Sequence, residues 1–480
     1  YGQVLGCRAW ALGIFMRLTD EQQAIIESAR NLPQGGVLKI QAAAGSGKTF
    51  ILLQIAQALP QASFLYLAFN RSIVDAMHNK ATKNMTVKTT HALAYSHILT
   101  QNYPDMQPRK DYTAFEIGEI LENRNYHYIA RVRQILYDFC NSRLEDFSMR
   151  LGEGYQDAQK IYTMMRRGEI PFTHSFYLKE YQLLPTQKRK LDYDYVLLDE
   201  AQDTNEVTLD IFLQMPCRKI LVGDEHQSIY GFRGAFNALS HINTSYKHVL
   251  THCFRTPQCY LDKAIFFLNH FKDLPQNVRI VSVISQSRDC ATSAILTRTN
   301  AKIVEIIAKN ASNTLQLLKN PDEIFATILS LKALQEGSKE HIAVPHLQYL
   351  KKFRNLDEVQ QYAEDTNEPE LKYSIFVLNQ YGRDIVHLYR KAKKLYQNKE
   401  GTALMTTHTA KGLEFDCVTI EDDFSNLYEQ HQKLFAQGRI GQIAFQKFYE
   451  EINLYYVAIT RTKKQLIDKS QNDFFYKMNL

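Results

Sequence analysis

Short runs of hydrophobic residues alternate with segments of helical periodicity along most of the chain, a pattern typical of α/β proteins. Each run is short enough to be a buried strand, and several lead directly into a glycine or acidic turn. We predict strands at residues 37–42, 64–68, 195–198, 220–222, 294–297, 403–407 and 418–421. A glycine-rich turn follows the first of these strands, and a helix is predicted after it, over residues 48–59.

The strand pattern is interrupted twice by long helical stretches. Residues 92–191 are rich in Tyr, Arg and Lys and lack strand patterns, and residues 301–400 are also mostly helical. No internal repeat of 20–50 residues is present, which excludes a solenoid. We therefore predict two α/β domains, each with a helical insertion. The first comprises residues 16–91 and 192–250 with insertion 92–191, and the second comprises residues 251–300 and 401–480 with insertion 301–400.

The composition narrows the class of protein without identifying it. The 480 residues are 45% hydrophobic and 22% charged, which excludes a disordered or collagen-like chain. No apolar run reaches the ~18 residues of a membrane span, so no membrane partner is expected. The net charge of +6 is compatible with nucleic acid but is shared by many enzymes. The seven cysteines contain no C-x-x-C pair, which predicts neither a disulfide framework nor a zinc site and favours a reducing compartment.

A helix start lies close to the beginning of the sequence. Thr19 is suited to cap this helix and Gln22 stands three residues later, as in a capping box. Met16 shortly precedes it, and residues 1–15 place Arg8 inside an apolar stretch, unlike a secretory signal. We therefore expect Met16 to be the natural start and residues 1–15 to be an extension.

The glycine-rich turn has the spacing of a phosphate-binding P-loop. The sequence QAAAGSGKT at residues 41–49 follows a predicted strand and opens a helix, with Ala42 in place of the first glycine. Small residues allow successive backbone N–H groups to wrap a phosphate at a helix N-terminus. Lys48 is expected to bridge the β- and γ-phosphates and Thr49 to bind Mg²⁺. The residues predicted to surround the triphosphate here are Ala44, Gly45, Ser46, Gly47, Lys48 and Thr49.

Two carboxylates follow the predicted central strand 195–198. Ligands of open α/β sheets bind at the carboxyl ends of the strands, where Asp199 and Glu200 stand. Asp199 is expected to hold Mg²⁺ and Glu200 to act as general base toward the attacking water. An acidic loop after a core strand is the ordinary alternative, but the P-loop about 150 residues earlier disfavours it.

From these carboxylates onward the chain resembles the superfamily 1 helicases of the UvrD/Rep type. The acidic segment reads DEAQD at residues 199–203, and further motifs occur in the order of that family. They are LT and Gln22 at 18–22 (Q motif), LAFN at 67–70 (Ia), TTH at 89–91 (Ib), VGDEHQSIYGFRGA at 222–235 (III), CFR at 253–255 (IV), LTRTN at 296–300 (IVa), THTAKGLEF at 407–415 (V) and YVAITR at 456–461 (VI).

Within that family the chain most resembles the F-box DNA helicase branch, without its F-box. Supporting positions include Asp416 after motif V, residues 453–454 before motif VI, and residues 236–239 after motif III. The resemblance implies two RecA-like motor domains with parallel sheets, and the second insertion is shorter than in full-length UvrD/Rep proteins.

The resemblance also implies roles in the nucleotide site. Gln22 would read the adenine edge, Phe254 would stack on adenine, and Glu414 would contact the ribose or sense the nucleotide. Gln227 would sense the γ-phosphate or its attacking water. Arg255 and Arg461 would reach the γ-phosphate from the second domain as arginine fingers. The catalytic set is thus predicted to be Lys48, Glu200, Gln227, Arg255 and Arg461, with ATP and Mg²⁺ as cofactors.

A DNA track is implied across both domains. Aromatic rings stack on bases of any sequence, and phosphate contacts come from basic and polar side chains. The stacking candidates are Phe69, Tyr230 and Phe232. The residues expected to bind phosphates or to position those rings are Asn70, Thr90, His91, Arg233, Arg298, Thr407 and His408.

The resemblance therefore implies an ATP-dependent translocase on single-stranded DNA that unwinds tailed duplexes with 3′-to-5′ direction, acting in DNA repair or recombination. It would be cytoplasmic in a bacterium or phage, and nuclear in a eukaryote. Two alternatives stay open: a translocase that strips proteins from DNA with little unwinding, and a DNA-binding module without turnover. An RNA substrate is disfavoured because no residue pattern reads a 2′-hydroxyl.

Overall fold

The computed structural model of this protein describes residues 18–68, 70–102, 107–147, 152–189, 191–231, 234–274, 276–284, 289–310, 314–436 and 442–479. Three predicted DNA-binding residues, Phe69, Phe232 and Arg233, lie outside these ranges, as does the extension expected at residues 1–15. Among the described helices, none combines the length and apolar character that a bilayer-spanning segment requires.

The first sheet is six-stranded and entirely parallel, with the order β3-β2-β4-β5-β1-β6. Its inner strands β2 and β4 are buried at every position, as expected for a sheet covered on both faces. The register pairs Gln41 with Gly223, so neighbouring strands end at the same edge. The strands are β1 (Val37–Ala42), β2 (Phe64–Ala68), β3 (Met85–Thr89), β4 (Tyr195–Leu198), β5 (Arg218–Gly223) and β6 (Lys247–Leu250).

The second sheet is five-stranded and also parallel, with the order β10-β11-β9-β12-β13. Thr297 lies opposite Thr406 at its carboxyl edge. A short parallel pair, β7 with β8, lies between the two sheets in sequence. These strands are β7 (His252–Cys253), β8 (Val281–Ser282), β9 (Ser293–Thr297), β10 (Leu315–Leu317), β11 (Thr402–Thr406), β12 (Phe415–Ile420) and β13 (Thr462–Asp468).

Helices connect the strands of both sheets. Those of the first half are α1 (Asp20–Arg30), α2 (Lys48–Ala58), α3 (Arg71–Met77), α4 (Thr90–Asn102), α5 (Ala114–Leu121), α6 (Tyr126–Asn141), α7 (Tyr155–Arg166), α8 (His174–Leu183), α9 (Glu206–Leu213) and α10 (Ala238–His241). Those of the second half are α11 (Gln258–Phe271), α12 (Asn300–Lys309), α13 (Pro321–Gln335), α14 (Leu356–Asp365), α15 (Pro369–Tyr381), α16 (Ile385–Gln397), α17 (Thr407–Ala410), α18 (Leu427–Ala436), α19 (Gln442–Ile459) and α20 (Gln471–Met478).

The predicted α/β class with two parallel sheets and helical insertions is confirmed. All seven predicted strands are present, although β11 ends at Thr406 and Thr407 already begins a helix. β3, β6, β7, β8 and β13 were missed, and so was β10, which lies inside the predicted insertion 301–400 and pairs with β11. β10 was missed because three residues are too few to show a strand pattern. The second sheet therefore includes a strand from the segment 301–400 that periodicity had assigned to helices. The domain boundaries themselves stay a prediction.

The two helical regions contact each other through an aromatic cluster. The ring of Phe115 on α5 lies 5.4 Å from that of Phe353, and the rings of Tyr126 and Tyr362 are 4.9 Å apart. The backbone N–H of Phe115 donates to the Tyr362 hydroxyl at 3.1 Å. The helices between β3 and β4 therefore pack directly on those that follow β10, and both contribute to one continuous core.

The cysteine prediction needs a correction. Cys290 and Cys417 form a disulfide, with their Cα atoms 5.7 Å apart, a usual separation for such a bond. The two cysteines are 127 residues apart, so no local sequence pattern indicates that they pair. The pairing of β12 with β9 brings Cys417 beside the segment that precedes β9. Cys140, Cys217, Cys253 and Cys259 are free thiols.

Candidate active site

A cleft of about 580 Å³ lies between the two sheets, where the carboxyl ends of the strands of the first sheet meet the second. It brings together most of the residues predicted for nucleotide binding, from segments as far apart as β1 and β13. Its predicted lining residues are Gly45, Ser46, Gly47, Lys48, Thr49, Asp199, Glu200, Gln227, Phe254, Arg255, Glu414 and Arg461.

The P-loop approaches the second domain closely. Gly45 has φ +72°, a left-handed conformation that favours glycine, and a Cβ atom there would lie 2.7 Å from the Cβ of Arg255. The carbonyl oxygen of Gly45 also accepts a hydrogen bond from the Phe254 backbone N–H at 2.9 Å. Gly45 is therefore needed both for the turn and for contact with the segment that carries the predicted arginine finger.

The predicted metal ligands are adjacent. The Thr49 hydroxyl donates to Oδ2 of Asp199 at 3.1 Å, and the buried Tyr66 hydroxyl donates to the same oxygen. Burial raises the pKa of Asp199, and the Glu200 charge adds to the rise. No group of three or more His, Cys, Asp or Glu in the described ranges is arranged to hold a metal. A hydroxyl and one carboxylate suit Mg²⁺, which keeps waters and shares its coordination with substrate phosphates.

Glu200 is held in a strained position at the centre of the cleft. Its φ of +51° is uncommon for a residue with a side chain, and such strain occurs at functional sites. Oε2 of Glu200 accepts from Nε2 of Gln202 at 2.5 Å and lies 3.7 Å from Nζ of Lys48. Burial opposes ionisation, but the charges of Lys48 and Lys411 outweigh it and lower the pKa of Glu200. The carboxylate is thus ionised at neutral pH, as a general base requires.

Gln227 lies between the two domains. Its Nε2 donates to Oδ2 of Asp224 at 2.8 Å, and its Oε1 accepts from Nη2 of Arg461 at 3.4 Å. Arg461 is almost completely buried, and its Nε donates to the Val457 carbonyl oxygen at 3.0 Å. Burial and the nearby charge of Arg255 lower the pKa of Arg461. A γ-phosphate in the cleft would add negative charge beside Arg461, whose hydrogen bonds are to Gln227, Thr460 and backbone carbonyl oxygens.

The remaining predicted nucleotide contacts line the same cleft, with two exceptions, Gln22 and Ala44. Ala44 is fully buried, and its backbone N–H donates to the Tyr456 hydroxyl at 3.3 Å. Arg255 donates from Nε to Oε2 of Glu414 at 2.8 Å, and the ring of Phe254 is 42% exposed, open to a base. Gln22, by contrast, does not line the cleft. Its Oε1 accepts from the Thr19 backbone N–H at 3.1 Å in the predicted capping box. The expectation that Gln22 reads adenine stays a prediction.

An ion pair that the sequence analysis did not single out joins the two domains beside the cleft. Nζ of Lys411, in motif V, contacts Oδ2 of Asp203, and it also donates to the Gln227 carbonyl oxygen at 2.5 Å. Both side chains of the pair are buried. Burial raises the pKa of Asp203 to about 7, although the Lys411 charge opposes the rise. Lys411 of motif V therefore contacts both the acidic segment 199–203 and motif III.

The predicted DNA-binding residues of the first domain that the structure describes follow strands β2, β3 and β5 of its sheet. Asn70 caps α3, its side-chain oxygen accepting from the Ile73 N–H at 3.0 Å, and it lines the nucleotide cleft. Thr90 is buried at the start of α4, and Nδ1 of His91 is 3.0 Å from the Tyr177 hydroxyl. The Tyr230 hydroxyl donates to the carbonyl oxygen of His408 at 3.1 Å, so this ring lies at the domain interface.

The predicted DNA-binding residues of the second domain are engaged with protein groups. Arg298 makes a bidentate ion pair with Glu451, at 2.7 and 2.6 Å. The Thr407 side chain is fully buried, and its hydroxyl donates to the Thr297 carbonyl oxygen at 3.4 Å. Nε2 of His408 is 3.2 Å from the Ile229 carbonyl oxygen. The buried Thr407 hydroxyl is therefore not accessible to a phosphate. A phosphate could bind the Arg298 guanidinium only by displacing the Glu451 carboxylate.

The fold and the cleft together define a P-loop protein with two RecA-like parallel sheets. The AAA domain family matches residues 22–233, which include the P-loop, the carboxylates after β4 and motif III. The recognition made from the motifs is confirmed: the chain is similar to F-box DNA helicases over most of its length and to UvrD/Rep-type helicases over just under half of it.

Individual relatives give the extent of the similarity. F-box DNA helicase 1 of Gallus gallus is 28% identical over 94% of this chain and 49% of its own length. F-box DNA helicase protein 1 of Schizosaccharomyces pombe is 28% identical over 94% of this chain and 57% of its own length. DNA helicase II of Haemophilus influenzae is 24% identical over 45% of the chain and 35% of its own length. The chain thus spans about half the length of the F-box helicases that it matches.

Several residues of the site were missed by sequence reasoning. Asp203, Asp224, Lys411 and Tyr456 all stand inside recognised motifs, but no spacing indicates that they pair across the domains. Tyr66 lies in the middle of β2, where only the register of β2 beside β4 places its hydroxyl on Asp199. These contacts depend on strand order and domain packing, which periodicity does not encode.

Proposed function

We propose that this chain is the motor of an ATP-dependent DNA helicase that moves along single-stranded DNA in the 3′-to-5′ direction. The observation that carries the proposal is the meeting of Lys48 and Glu200, which follow strands of the first sheet, with Arg255 and Arg461 from the predicted second domain in a single cleft. Hydrolysis requires groups from both domains, so a cycle of binding and release would open and close the cleft. The direction of movement rests on the resemblance alone.

ATP and Mg²⁺ would occupy the cleft in the manner that P-loop chemistry requires. Thr49 and Asp199 would hold the ion, which neutralises charge on the β- and γ-phosphates when bound. The backbone N–H groups of the P-loop and the Lys48 ammonium would bind the phosphates. Glu200 would accept the proton of the attacking water, and Arg461 would stabilise the charge that develops on the γ-phosphate.

Single-stranded DNA, or the tail of a partly duplex substrate, is the proposed partner. Arg298 and His408 of the second domain and Asn70, Thr90 and His91 of the first would contact the strand or support the rings that stack on it. Phe69, Tyr230, Phe232 and Arg233 are the remaining proposed contacts. A role in DNA repair or recombination, in the cytoplasm of a bacterium or phage or in a eukaryotic nucleus, belongs to the same proposal.

The test is a strand-displacement assay with 3′-tailed and 5′-tailed duplexes, run beside ATP hydrolysis with and without single-stranded DNA. We expect hydrolysis to rise strongly with DNA, and displacement to require the 3′ tail, ATP and Mg²⁺. Lys48→Ala serves as the inactive control. DNA-stimulated hydrolysis without displacement would favour the protein-stripping translocase, and DNA binding without hydrolysis would favour the module without turnover. Displacement of the 5′-tailed duplex alone would contradict the proposed direction.

A further inference from the structure

Two neighbouring tyrosines on α19, Tyr455 and Tyr456, are both buried, and each donates its hydroxyl to a buried carboxylate. Tyr455 donates to Asp468 at 2.5 Å, a residue of β13 in the same sheet unit. Tyr456 donates to Oδ2 of Asp224 at 3.2 Å, a residue that follows β5 in the other sheet. The two phenols thus have the same chemistry, but only one of them joins the domains.

Tyr456 lies within a chain of hydrogen bonds that crosses the nucleotide cleft. Its hydroxyl oxygen accepts the backbone N–H of Ala44, in the P-loop, at 3.3 Å. Asp224 Oδ2, which accepts from Tyr456, also accepts from Nε2 of Gln227 at 2.8 Å. Oε1 of Gln227 in turn accepts from Nη2 of Arg461 at 3.4 Å. The P-loop, the γ-phosphate sensor and the arginine finger are therefore connected through one phenol.

The chain of bonds sets which way the Gln227 amide faces. Oδ2 of Asp224 accepts from the NH₂ end of the amide, which leaves the amide oxygen facing Arg461. Burial and the charge of Asp224 hold the pKa of Tyr456 well above its usual value, so the phenol keeps its proton and stays a donor to Asp224. Without that donor, Asp224 loses one of the groups that hold it in place.

A second contact keeps the same loop against α19. Nδ2 of Asn453 donates to the Ser228 carbonyl oxygen at 2.7 Å, and Oδ1 of Asn453 accepts from Nζ of Lys272 at 2.5 Å. Asn453 and Tyr456 are three residues apart, so they lie on the same face of the helix. That face contacts the loop on both sides of Gln227, and α19 leads directly to Arg461.

We propose that Tyr456 is a positioning residue that orients Gln227 and Arg461 toward the γ-phosphate when the two domains meet. The inference rests on the proposed hydrolysis of ATP in this cleft. Tyr456 does not contact substrate in this assignment. It acts through Asp224, and its contacts exist only while the P-loop and α19 are together.

The test compares Tyr456→Phe with Tyr455→Phe as a matched control. Each variant removes one phenol hydroxyl from one buried carboxylate, so we expect similar losses in melting temperature. With saturating single-stranded DNA, Tyr456→Phe is expected to lower kcat for ATP about tenfold, which corresponds to ~1.4 kcal/mol. KM for ATP is expected to change less than about threefold, since the contacts of the other P-loop amides are retained. Tyr455→Phe is expected to change kcat less than about twofold.

Binding without turnover provides a second measurement. The ratio of the Kd for ADP to that for ATPγS, measured by calorimetry with Mg²⁺, reports on contacts with the γ-phosphate. We expect Tyr456→Phe to reduce this ratio about twofold to threefold, and Tyr455→Phe to leave it unchanged.

The outcomes separate this inference from the proposed function. If the wild-type protein hydrolyses ATP but the two variants behave alike in kcat and in the binding ratio, Tyr456 has no positioning role. If the wild-type protein prefers ATPγS and loses that preference only in Tyr456→Phe, yet never hydrolyses ATP, the inference holds and the proposed function fails. Failure of the wild-type protein to bind either nucleotide overturns both.

Discussion

The nucleotide cleft and the predicted DNA surface of this protein differ in how their side chains are held. In the cleft, Lys48, Glu200 and Arg461 face a common space, and their contacts are with one another or with groups beside them. On the DNA side of the second domain, Arg298 and Thr407 are bound to protein groups instead. The cleft residues therefore already face the space proposed for the nucleotide, whereas the residues proposed to bind DNA would have to exchange protein contacts for DNA contacts.

This difference teaches where each kind of variant should act. With the proposed roles, a substitution in the cleft removes a group that acts on the reacting atoms, so it should cost orders of magnitude in rate. A substitution on the DNA side shifts a competition between a protein carboxylate and a phosphate, so it should change affinity by a modest factor. The predictions below run from the largest expected effect to the smallest.

Lys48→Ala is expected to reduce ATP hydrolysis by ~1000-fold or more, because the ammonium supplies charge stabilisation that no neighbouring group replaces. The measurement is steady-state phosphate release with saturating DNA. Lys39→Ala is the control, since Lys39 in β1 donates to the carbonyl oxygens of Leu239 and Ile242, away from the cleft. We expect Lys39→Ala to lower the melting temperature while ATP turnover stays normal. Equal losses of turnover in both variants would count against the cleft assignment.

Glu200→Gln is expected to lower the hydrolysis rate by ~100- to 10,000-fold while ATP binding is retained, because the amide keeps the shape but accepts no proton. Rapid-quench hydrolysis and equilibrium binding of ATP measure the two effects. Gln202→Glu tests whether the hydrogen bond from Gln202 holds Glu200 in place. The variant puts a second carboxylate where Nε2 of Gln202 now donates to Glu200. We expect a smaller rate loss there. Retention of full activity by Glu200→Gln would remove it as the base.

Glu451→Gln is expected to strengthen binding of single-stranded DNA about threefold to tenfold, because it releases the Arg298 guanidinium from its bidentate pair. Arg298→Gln should weaken binding and reduce the slope of log affinity against log salt by about one. Fluorescence anisotropy at several salt concentrations measures both. If neither variant changes DNA affinity, Arg298 only stabilises the fold. The nucleotide cleft and the predicted DNA surface would then differ more than proposed.

The ion pair of Asp203 with Lys411 predicts a pH dependence of stability. The pKa of Asp203 is raised to about 7 from its ordinary value of 3.8, so the folded protein holds this proton more tightly than the unfolded chain does. The contribution of Asp203 to the free energy of unfolding is thus greatest at low pH. It declines as the pH rises through about 7, by at most ~1.4 kcal/mol per pH unit.

Melting temperatures of the wild-type protein and of Asp203→Asn between pH 5.5 and 8.5 test this expectation. The difference in melting temperature between the wild-type protein and Asp203→Asn should change between pH 5.5 and 7.5 and be constant above pH 8. A difference that is constant over the whole range would show that Asp203 does not titrate near neutral pH in the folded protein.

Much of the fold was predictable because its signals are local. The P-loop at residues 41–49 needs only small residues between a strand and a helix, and the carboxylates Asp199 and Glu200 need only a buried strand before them. The capping box of Thr19 and Gln22 is likewise complete within four residues, and the structure contains it. The short strand β10 was missed because three residues carry too little pattern.

The sequence by itself determined the α/β class, the order of the motifs and the identity of the groups available for catalysis. Tertiary structure alone decided which of those groups meet. The Tyr456 hydroxyl and the Ala44 N–H are 412 residues apart, and Lys411 and Asp203 are 208 residues apart. Such contacts depend on strand order in two sheets and on the packing of one sheet against the other. A local pattern of hydrophobic and polar residues contains no information about either.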